Sequence, residues 1–464
     1  MSTPIIPVWR TVVADLDTPV SAFLKVRGDG PAFLLESVEH GDRWGRYSFI
    51  GIDPFETMVR RGGENSPQDS PQDSPLEEFR DLMGRYSVPD TDGLPPFFAG
   101  AVGYLGYDVA RYLEDLPQTT KDEAGAPEVL MMCPSVVLVF DHLRQRMTVV
   151  VNVIDEASVD AAEDRIDQVV EQLSTPLSQS TLDMVDVQDI ELPASSMSRE
   201  DFEKAVLSAK EYILAGDVFQ VVLSHCFSMP LVGDPFDVYR VLRLINPSPY
   251  MFFLSHPEVT VFGSSPEPLV KVKGRTVIQR PIAGTRPRGQ SEQDDLAIEA
   301  EFVTDEKERA EHVMLVDLAR NDIGRVSRYG TVKVEELMTV ERYSHVMHLV
   351  SQVSGELDPA FNSLDALYAS FPAGTVSGAP KIRAMQIIDE LEPTRRGPYA
   401  GVVGYFDFSG DIDTCIALRT AYVCDGVVYI QAGAGIVADS DATAEYVETV
   451  NKAKALLSAV QMGF

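Results

Sequence analysis

Residues 420–431 read TAYVCDGVVYIQ, and residues 269–280 read LVKVKGRTVIQR. In each, a run rich in β-branched residues meets a second such run through a two-residue step, Asp425-Gly426 or Gly274-Arg275, which is the pattern of a β-hairpin closed by a tight turn. A further strand pair is expected upstream, where the β-branched runs 135–140 and 147–154 flank the polar stretch 141–146. Residues 199–214 differ: Phe202, Ala205, Val206, Ala209, Tyr212 and Ile213 recur at helical spacing, and Gly216 follows as a stop. Hairpin strands mixed with long helices predict an α+β architecture.

A chain of 464 residues, 45% hydrophobic, can bury an extensive core and has room for two or three structural units. A polar, Ser- and Pro-containing stretch at 174–198 is expected to connect a strand-rich region, 1–173, to a mixed region, 199–464. Residues 62–75, GGENSPQDSPQDSP, carry a tandem SPQD repeat with no apolar anchor and are expected to form a mobile surface insertion. Cys133, Cys226, Cys415 and Cys424 are scattered without CxxC spacing, so neither a disulfide framework nor a zinc site is indicated.

The formal charge of −32, from 39 basic and 71 acidic residues, repels nucleic-acid phosphates and anionic lipid alike, which excludes both as partners. No segment approaches the ~18 apolar residues of a membrane span, and the N-terminus MSTPIIPVWR lacks the signal-peptide pattern, so a cytoplasmic protein is expected. An anionic substrate would then need local positive charge. Basic residues do gather at Arg280, Arg286 and Arg288, at Lys381 and Arg383, and at Arg419.

Two glutamate pairs have helical i,i+3 spacing. Glu308 and Glu311 share a face with Leu315 and Leu318, so the stripe is expected to turn inward, and buried acids need a counter-ion; paired oxygens suit magnesium. Glu445 and Glu448 open a C-terminal helix capped by Ser440 or Asp441 and running to about Met462. Here Val447, Val450, Lys454, Leu457 and Val460 fall opposite the glutamates, as on an ordinary amphipathic surface helix, and the spacing leaves ligand pair and solvated face equally open. Two small-residue stretches after the hairpins, Pro281 to Thr285 and Ala432 to Gly435, read as loops whose backbone N–H groups can approach a ligand.

Seven blocks resemble, in order, those of chorismate-utilising enzymes: SPEP (265–268), RPIAGTRPRG (280–289), AEHVMLVDLARND (310–322), HVMHLVS (345–351), FPAGTVSGAPKIRAM (371–385), GPYAGVVGYFDFSGDIDTCIALRT (397–420) and QAGAGIVADSD (431–441). FLLES (33–37) and WGRYSFIG (44–51) resemble the N-terminal portion found in anthranilate and aminodeoxychorismate synthases. The resemblance implies the fold of that family, a large mixed or antiparallel β-sandwich surrounded by helices. It implies Mg2+ held by Glu311 and Glu448 with Glu308 and Glu445 beside them, which brings the second pair to the same metal. It further implies chorismate contacts at Gly284, Thr285, Tyr399, Arg419, Gly433, Ala434 and Gly435, with Lys381 added from the basic cluster. Glu267 matches the family's general acid, His348 its histidine near the elimination step and Thr375 its active-site threonine.

Two positions report on the nucleophile. Position 283, a lysine in most aminodeoxychorismate synthases, is Ala283, and position 220, the water-activating lysine of isochorismate and salicylate synthases, is Gln220. Ammonia is then the nucleophile implied, with anthranilate and pyruvate as products. No amidotransferase segment follows the last helix, so ammonia is expected from a separate glutaminase subunit in a hetero-oligomer. Ser37 and NPSPYM, with Pro247, Ser248, Pro249, Tyr250 and Met251, resemble the tryptophan-binding elements of feedback-inhibited members. The competing readings are an aminodeoxychorismate synthase, an aminodeoxyisochorismate synthase, and a silent tryptophan-sensing partner subunit.

Overall fold

The computed structural model describes residues 2–37, 45–62, 74–89, 93–154, 158–177, 181–182, 190–342 and 346–462, apart from the side chains of Thr285 and Lys307. The insertion expected at 62–75 falls mostly outside the described residues, as does part of the 174–198 connection. Both hairpins form. Strand Pro268–Lys273 pairs with Thr276–Gln279, and Thr420–Cys424 pairs with Val427–Ile436. The second turns through Asp425 and Gly426, both at positive φ (50° and 76°), the conformation that a two-residue hairpin turn demands and that Asp-Gly supplies.

Apart from the short parallel pair Thr3–Pro4 and Tyr86–Ser87, the strands form one hydrogen-bonded network folded into two facing layers. One layer runs Ile6–Val13, Arg146–Val153, Val129–Asp141, Tyr47–Arg60, Ala32–Glu36, Tyr250–His256, Val259–Ser265, Thr420–Cys424, Val427–Ile436 and Gln220–Pro230. The other leaves Val129–Asp141 through Gly100–Leu105, Val402–Asp407, Ile412–Ile416, Pro268–Lys273, Thr276–Gln279 and Val346–Glu356, which also pairs with Ile282–Pro287 and Lys333–Arg342. These neighbours are all antiparallel. The long strands Tyr47–Arg60 and Val129–Asp141 serve both layers, and their register breaks between Pro54 and Glu56, where Pro54 faces Pro134 and neither can donate to the ladder.

Apolar side chains fill the space between the layers: Phe33, Phe252, Val261 and Tyr422 from the first, Val102, Tyr104, Val403 and Cys415 from the second. Helices Pro19–Val26, Val159–Leu173, Pro235–Ile245 and Ala442–Gln461 cover the outer face of the first layer. Helices Pro75–Arg85, Glu306–Gly324 and Ser363–Ser370 cover the second, and Lys381–Leu391 packs on Gln220–Pro230 at the end of the first. The expected sandwich wrapped in helices is therefore the observed one. Strands from before and after residue 174 alternate in it, Ala32–Glu36 against Tyr250–His256 and Gly100–Leu105 against Val402–Asp407.

Local signals end the helices where they were read. Ser198 caps Arg199–Ala215, which stops at left-handed Gly216 (φ 85°), and Asp441 caps Ala442–Gln461 by accepting from the Ala444 amide. All four cysteines are buried thiols. Among the described residues, no helix is long and apolar enough to cross a membrane.

Candidate active site

Glu267 stands where strand Val259–Ser265 passes into Pro268–Lys273, between two prolines, and its carbonyl accepts from the Ile416 amide at 3.0 Å. The residue keeps some solvent contact, yet protein crowds its carboxyl, and this burial pushes the pKa up to about 7. Thr375, Lys452 and Arg419, in that order, work against the rise. Thr375 belongs to the tight turn Gly374–Val376; its hydroxyl is buried without a hydrogen bond of normal length, so its effect on Glu267 is one of proximity. Both side chains line a cavity of about 40 Å3 with Gln279, Leu318 and Asp322. A carboxyl that is half protonated near neutrality can act as a general acid there.

The two stretches read as loops are strand segments. Gly433, Ala434 and Gly435 end strand Val427–Ile436 opposite Ser224, Leu223 and Val222. Their small size answers a close approach rather than a turn: a Cβ on Gly433 would stand 2.8 Å from the Leu223 carbonyl and 2.9 Å from the Tyr399 hydroxyl, and one on Gly435 2.6 Å from Gln220 Nε2. Gly284 lies in strand Ile282–Pro287, in an irregularity between Ala283 and Arg286, at φ 64°. A Cβ at Gly284 would meet the Glu308 carboxylate at 2.5 Å, so this glycine admits the acid to the site. The side chain of Thr285 lies outside the described residues.

His348 Nδ1 donates to the Gly284 carbonyl at 2.9 Å, which in the neutral ring leaves Nε2 as the basic nitrogen. Burial lowers its pKa, against the opposing bond to Gly284, so the neutral form prevails near pH 7. Arg419, at φ 46°, lies close enough to act electrostatically on both His348 and Glu267, and it donates to Asn246 Oδ1 at 3.4 Å.

The first glutamate pair lies as its stripe required. Leu315 is buried, Leu318 reaches the cavity beside Glu267, and Glu308 is mostly covered, with Arg286 Nη1 at 2.8 Å. The C-terminal helix corrects the expected pattern. Val447 is 46% exposed and Lys454 is exposed too, while Thr449, Ala453, Leu456, Leu457 and Val460 are buried. Glu448 is half exposed and ion-paired to Lys452 at 2.7 Å, and Lys452 donates to the Gly433 carbonyl at 3.0 Å. Glu448 thus borders the glycine strand end instead of facing open solvent alone.

Among the described residues, no three His, Cys, Asp or Glu side chains are close enough together to hold a metal ion. The four glutamates come as two pairs on two helices. Their donors are all carboxylate oxygens, so the donor chemistry, though not a formed cluster, fits Mg2+, and Glu308 and Glu448 are each ion-paired, with Arg286 and Lys452.

Lys381, expected at the substrate, is engaged with Asp322 at 2.9 Å and the Ser370 carbonyl at 3.3 Å, and it reaches the cavity through Asp322. Arg280 and Arg383 likewise hold acids, Glu341 and Asp217. A residue of the candidate site that sequence reasoning missed is Lys452, which touches Glu448 and Gly433 and acts on Glu267; its sole signal was an i,i+4 Glu-to-Lys pair, common on exposed helices.

A second cavity, of about 320 Å3, is lined by Ser37, Pro249, Tyr250 and Met251 together with Lys271 and Asp413. The Ser37 hydroxyl is buried there without a hydrogen-bond partner, while Tyr250 donates to Asp413 at 3.0 Å. Pro247 and Ser248 do not line it; they lie at the corner between helix Pro235–Ile245 and strand Tyr250–His256.

The chain is similar to known proteins over nearly its whole length. A family model described as chorismate binding enzyme matches residues 30–458. The chain is 47% identical to anthranilate synthase component 1 of Acetivibrio thermocellus, over 98% of this chain and 95% of that one, and 48% identical to the Thermus thermophilus protein of the same name, over 98% of each. Its fold is similar to the crystal structure of anthranilate synthase component I from Streptococcus pneumoniae, with a TM-score of 0.79 at 36% identity over 96% of this chain and 99% of that one. The menaquinone-specific isochorismate synthase of Escherichia coli shares the fold at 19% identity, with a TM-score of 0.73 over 99% of this chain and 95% of that one.

Proposed function

This chain belongs to the chorismate binding enzymes, and we propose that it is the synthase component of an anthranilate synthase, forming anthranilate and pyruvate from chorismate and ammonia at the entry to tryptophan biosynthesis. The observation that carries the choice of nucleophile is the pair of positions 220 and 283. Gln220 packs against Gly435 and Ala283 is buried in its strand, so neither offers an amine to attack the ring or a base to activate water. External ammonia is what remains.

Glu267 gives its proton to the departing ring hydroxyl as ammonia adds at the ring carbon next to the carboxylate-bearing one and the ring double bonds shift, so that water leaves. His348 takes the proton from the amine-bearing carbon as the enolpyruvyl group departs and becomes pyruvate, and the ring becomes aromatic. Arg419, Tyr399 and the Gly433 to Gly435 backbone hold the substrate dianion. Glu308, Glu311, Glu445 and Glu448 would hold Mg2+, which would supply positive charge for the substrate's ring carboxylate.

Ammonia is largely protonated at neutral pH, and a glutamine-hydrolysing partner subunit supplies it in a hetero-oligomer. The relatives' designation as component 1 supports a second component. Tryptophan occupies the cavity at Ser37 and Tyr250 and inhibits; the unpartnered Ser37 hydroxyl supports a polar ligand there. The protein works in the cytoplasm. Incubation of the purified chain with chorismate, Mg2+ and ammonium tests the reading: anthranilate is expected, and an amine product that retains its pyruvyl group would select the aminodeoxychorismate or aminodeoxyisochorismate alternative.

A further inference from the structure

Arg396 is 1% exposed, and its guanidinium lies behind the site without lining the cavity that holds Glu267. It forms a two-bond pair with Glu392, Nε to Oε2 at 2.9 Å and Nη2 to Oε1 at 2.6 Å. It also donates to the carbonyl of Val376 at 2.7 Å and to that of Val222 at 2.7 Å. Glu392 Oε1 accepts in turn from the amide and hydroxyl of Ser224, at 2.8 and 2.9 Å. The guanidinium carbon stands 4.6 Å from the Tyr107 ring centre and 5.7 Å from that of Tyr399.

Each of those partners leads to a group of the site. Val376 follows Thr375 in its turn, so the Arg396 bond fixes the segment that sets the Thr375 hydroxyl near Glu267. Ser224 is the strand partner of Gly433, and Val222 that of Gly435. Tyr399, whose hydroxyl fills the space a side chain at Gly433 would need, lies against the guanidinium, and its amide donates to the Arg396 carbonyl at 3.2 Å. We propose that the buried Arg396–Glu392 pair is a positioning device that holds Thr375, Tyr399 and the Gly433–Gly435 strand end in register with one another for chorismate turnover.

A buried ion pair contributes little net stability compared with apolar residues of like volume, while losing one partner alone strands a charge. Geometry is what such a pair supplies that an apolar pair lacks. Arginine is the residue that can serve one carboxylate and two carbonyls at once from a planar fork, and lysine has too few donors in the wrong directions.

The inference rests on the chorismate reading, and the test separates the two. The variants are the double replacement Arg396→Met with Glu392→Met and the single replacement Arg396→Lys, assayed with chorismate, Mg2+ and ammonium beside the unaltered chain. Absence of turnover in the unaltered chain counts against the function itself. If that chain is active, the double variant is expected to unfold cooperatively within a few degrees of it, with KM for chorismate raised about tenfold and the alkaline limb of kcat moved to higher pH as Thr375 leaves Glu267. Arg396→Lys is expected to retain part of the affinity. A folded double variant with unchanged KM and unchanged pH limb overturns the proposal. Should the double variant not fold, Arg396→Lys decides alone: a folded Lys variant with wild-type KM and pH limb overturns it equally.

Discussion

Glu267 is set by opposing forces: crowding by protein favours its neutral form, and Thr375, Lys452 and Arg419 favour the anion. As the acid it must be protonated, so at a fixed concentration of free ammonia kcat/KM is expected to fall as pH rises through about 7, and Glu267→Gln to lose on the order of 10²-fold or more. Thr375→Val removes an influence that lowers the pKa, so its alkaline limb is expected at higher pH; a limb at lower pH would contradict the assignment. Linkage gives a second readout. The folded pKa lies above the ordinary value of 4.5, so wild-type stability falls relative to Glu267→Gln as pH is raised from about 4.5 to about 7, by at most roughly 3 kcal/mol, and is level above that. The SPEP block singled this residue out as the candidate acid. Its environment was not, because the cations that act on it arrive from segments far along the chain, Arg419 on a connection between strands and Lys452 on the last helix.

Helix Ala442–Gln461 combines a half packed in the core with a half at the candidate site. Its buried face begins at Thr449 and contains Leu457, which is 0% exposed, so Leu457→Ala is expected to cost about 2–5 kcal/mol in denaturant unfolding, and Asp441→Ala, which removes the cap, about 1 kcal/mol. Glu448 is half exposed; Glu448→Gln is expected to change stability by less than about 0.5 kcal/mol and to weaken the dependence of turnover on Mg2+. Unchanged Mg2+ dependence would remove Glu448 from the ion. Periodicity identified the inward stripe of Glu306–Gly324 because Leu315 and Leu318 lie with the acids on one face. It misplaced Val447 and Lys454, since the first turns of the last helix meet the glycine strand end and the later turns meet the core. The glycine stretches were read as loops for a related reason. A need for small size imposed by a neighbouring hydroxyl or carboxylate, at Gly433 or Gly284, leaves the same mark in a sequence as a need for positive φ, and only Gly284 has both.

Across the whole molecule, one sandwich carries the site and the cavity at Ser37, and neighbouring strands connect them: Tyr250–His256, which lines the cavity, pairs with Val259–Ser265, which leads to Glu267. Tryptophan is expected to raise the melting temperature, since a ligand at 100 times its Kd adds about 2.7 kcal/mol, and Ser37→Ala is expected to weaken inhibition while leaving KM for chorismate in place. Loss of chorismate affinity in that variant would instead assign the cavity to the substrate. The α+β class was legible from the hairpins and helical runs and the sandwich from the family resemblance, whereas the sharing of its strands between the two halves of the chain was not, because pairing of Ala32–Glu36 with Tyr250–His256 spans some two hundred residues and leaves no local pattern. The central claim is that ammonia, with no lysine at positions 220 or 283, is converted with chorismate into an aromatic amine by this one chain. Product analysis of the purified chain with chorismate, Mg2+ and ammonium tests it most directly: anthranilate and pyruvate in equal amounts are predicted, and isochorismate, or an amine released without pyruvate, would contradict it.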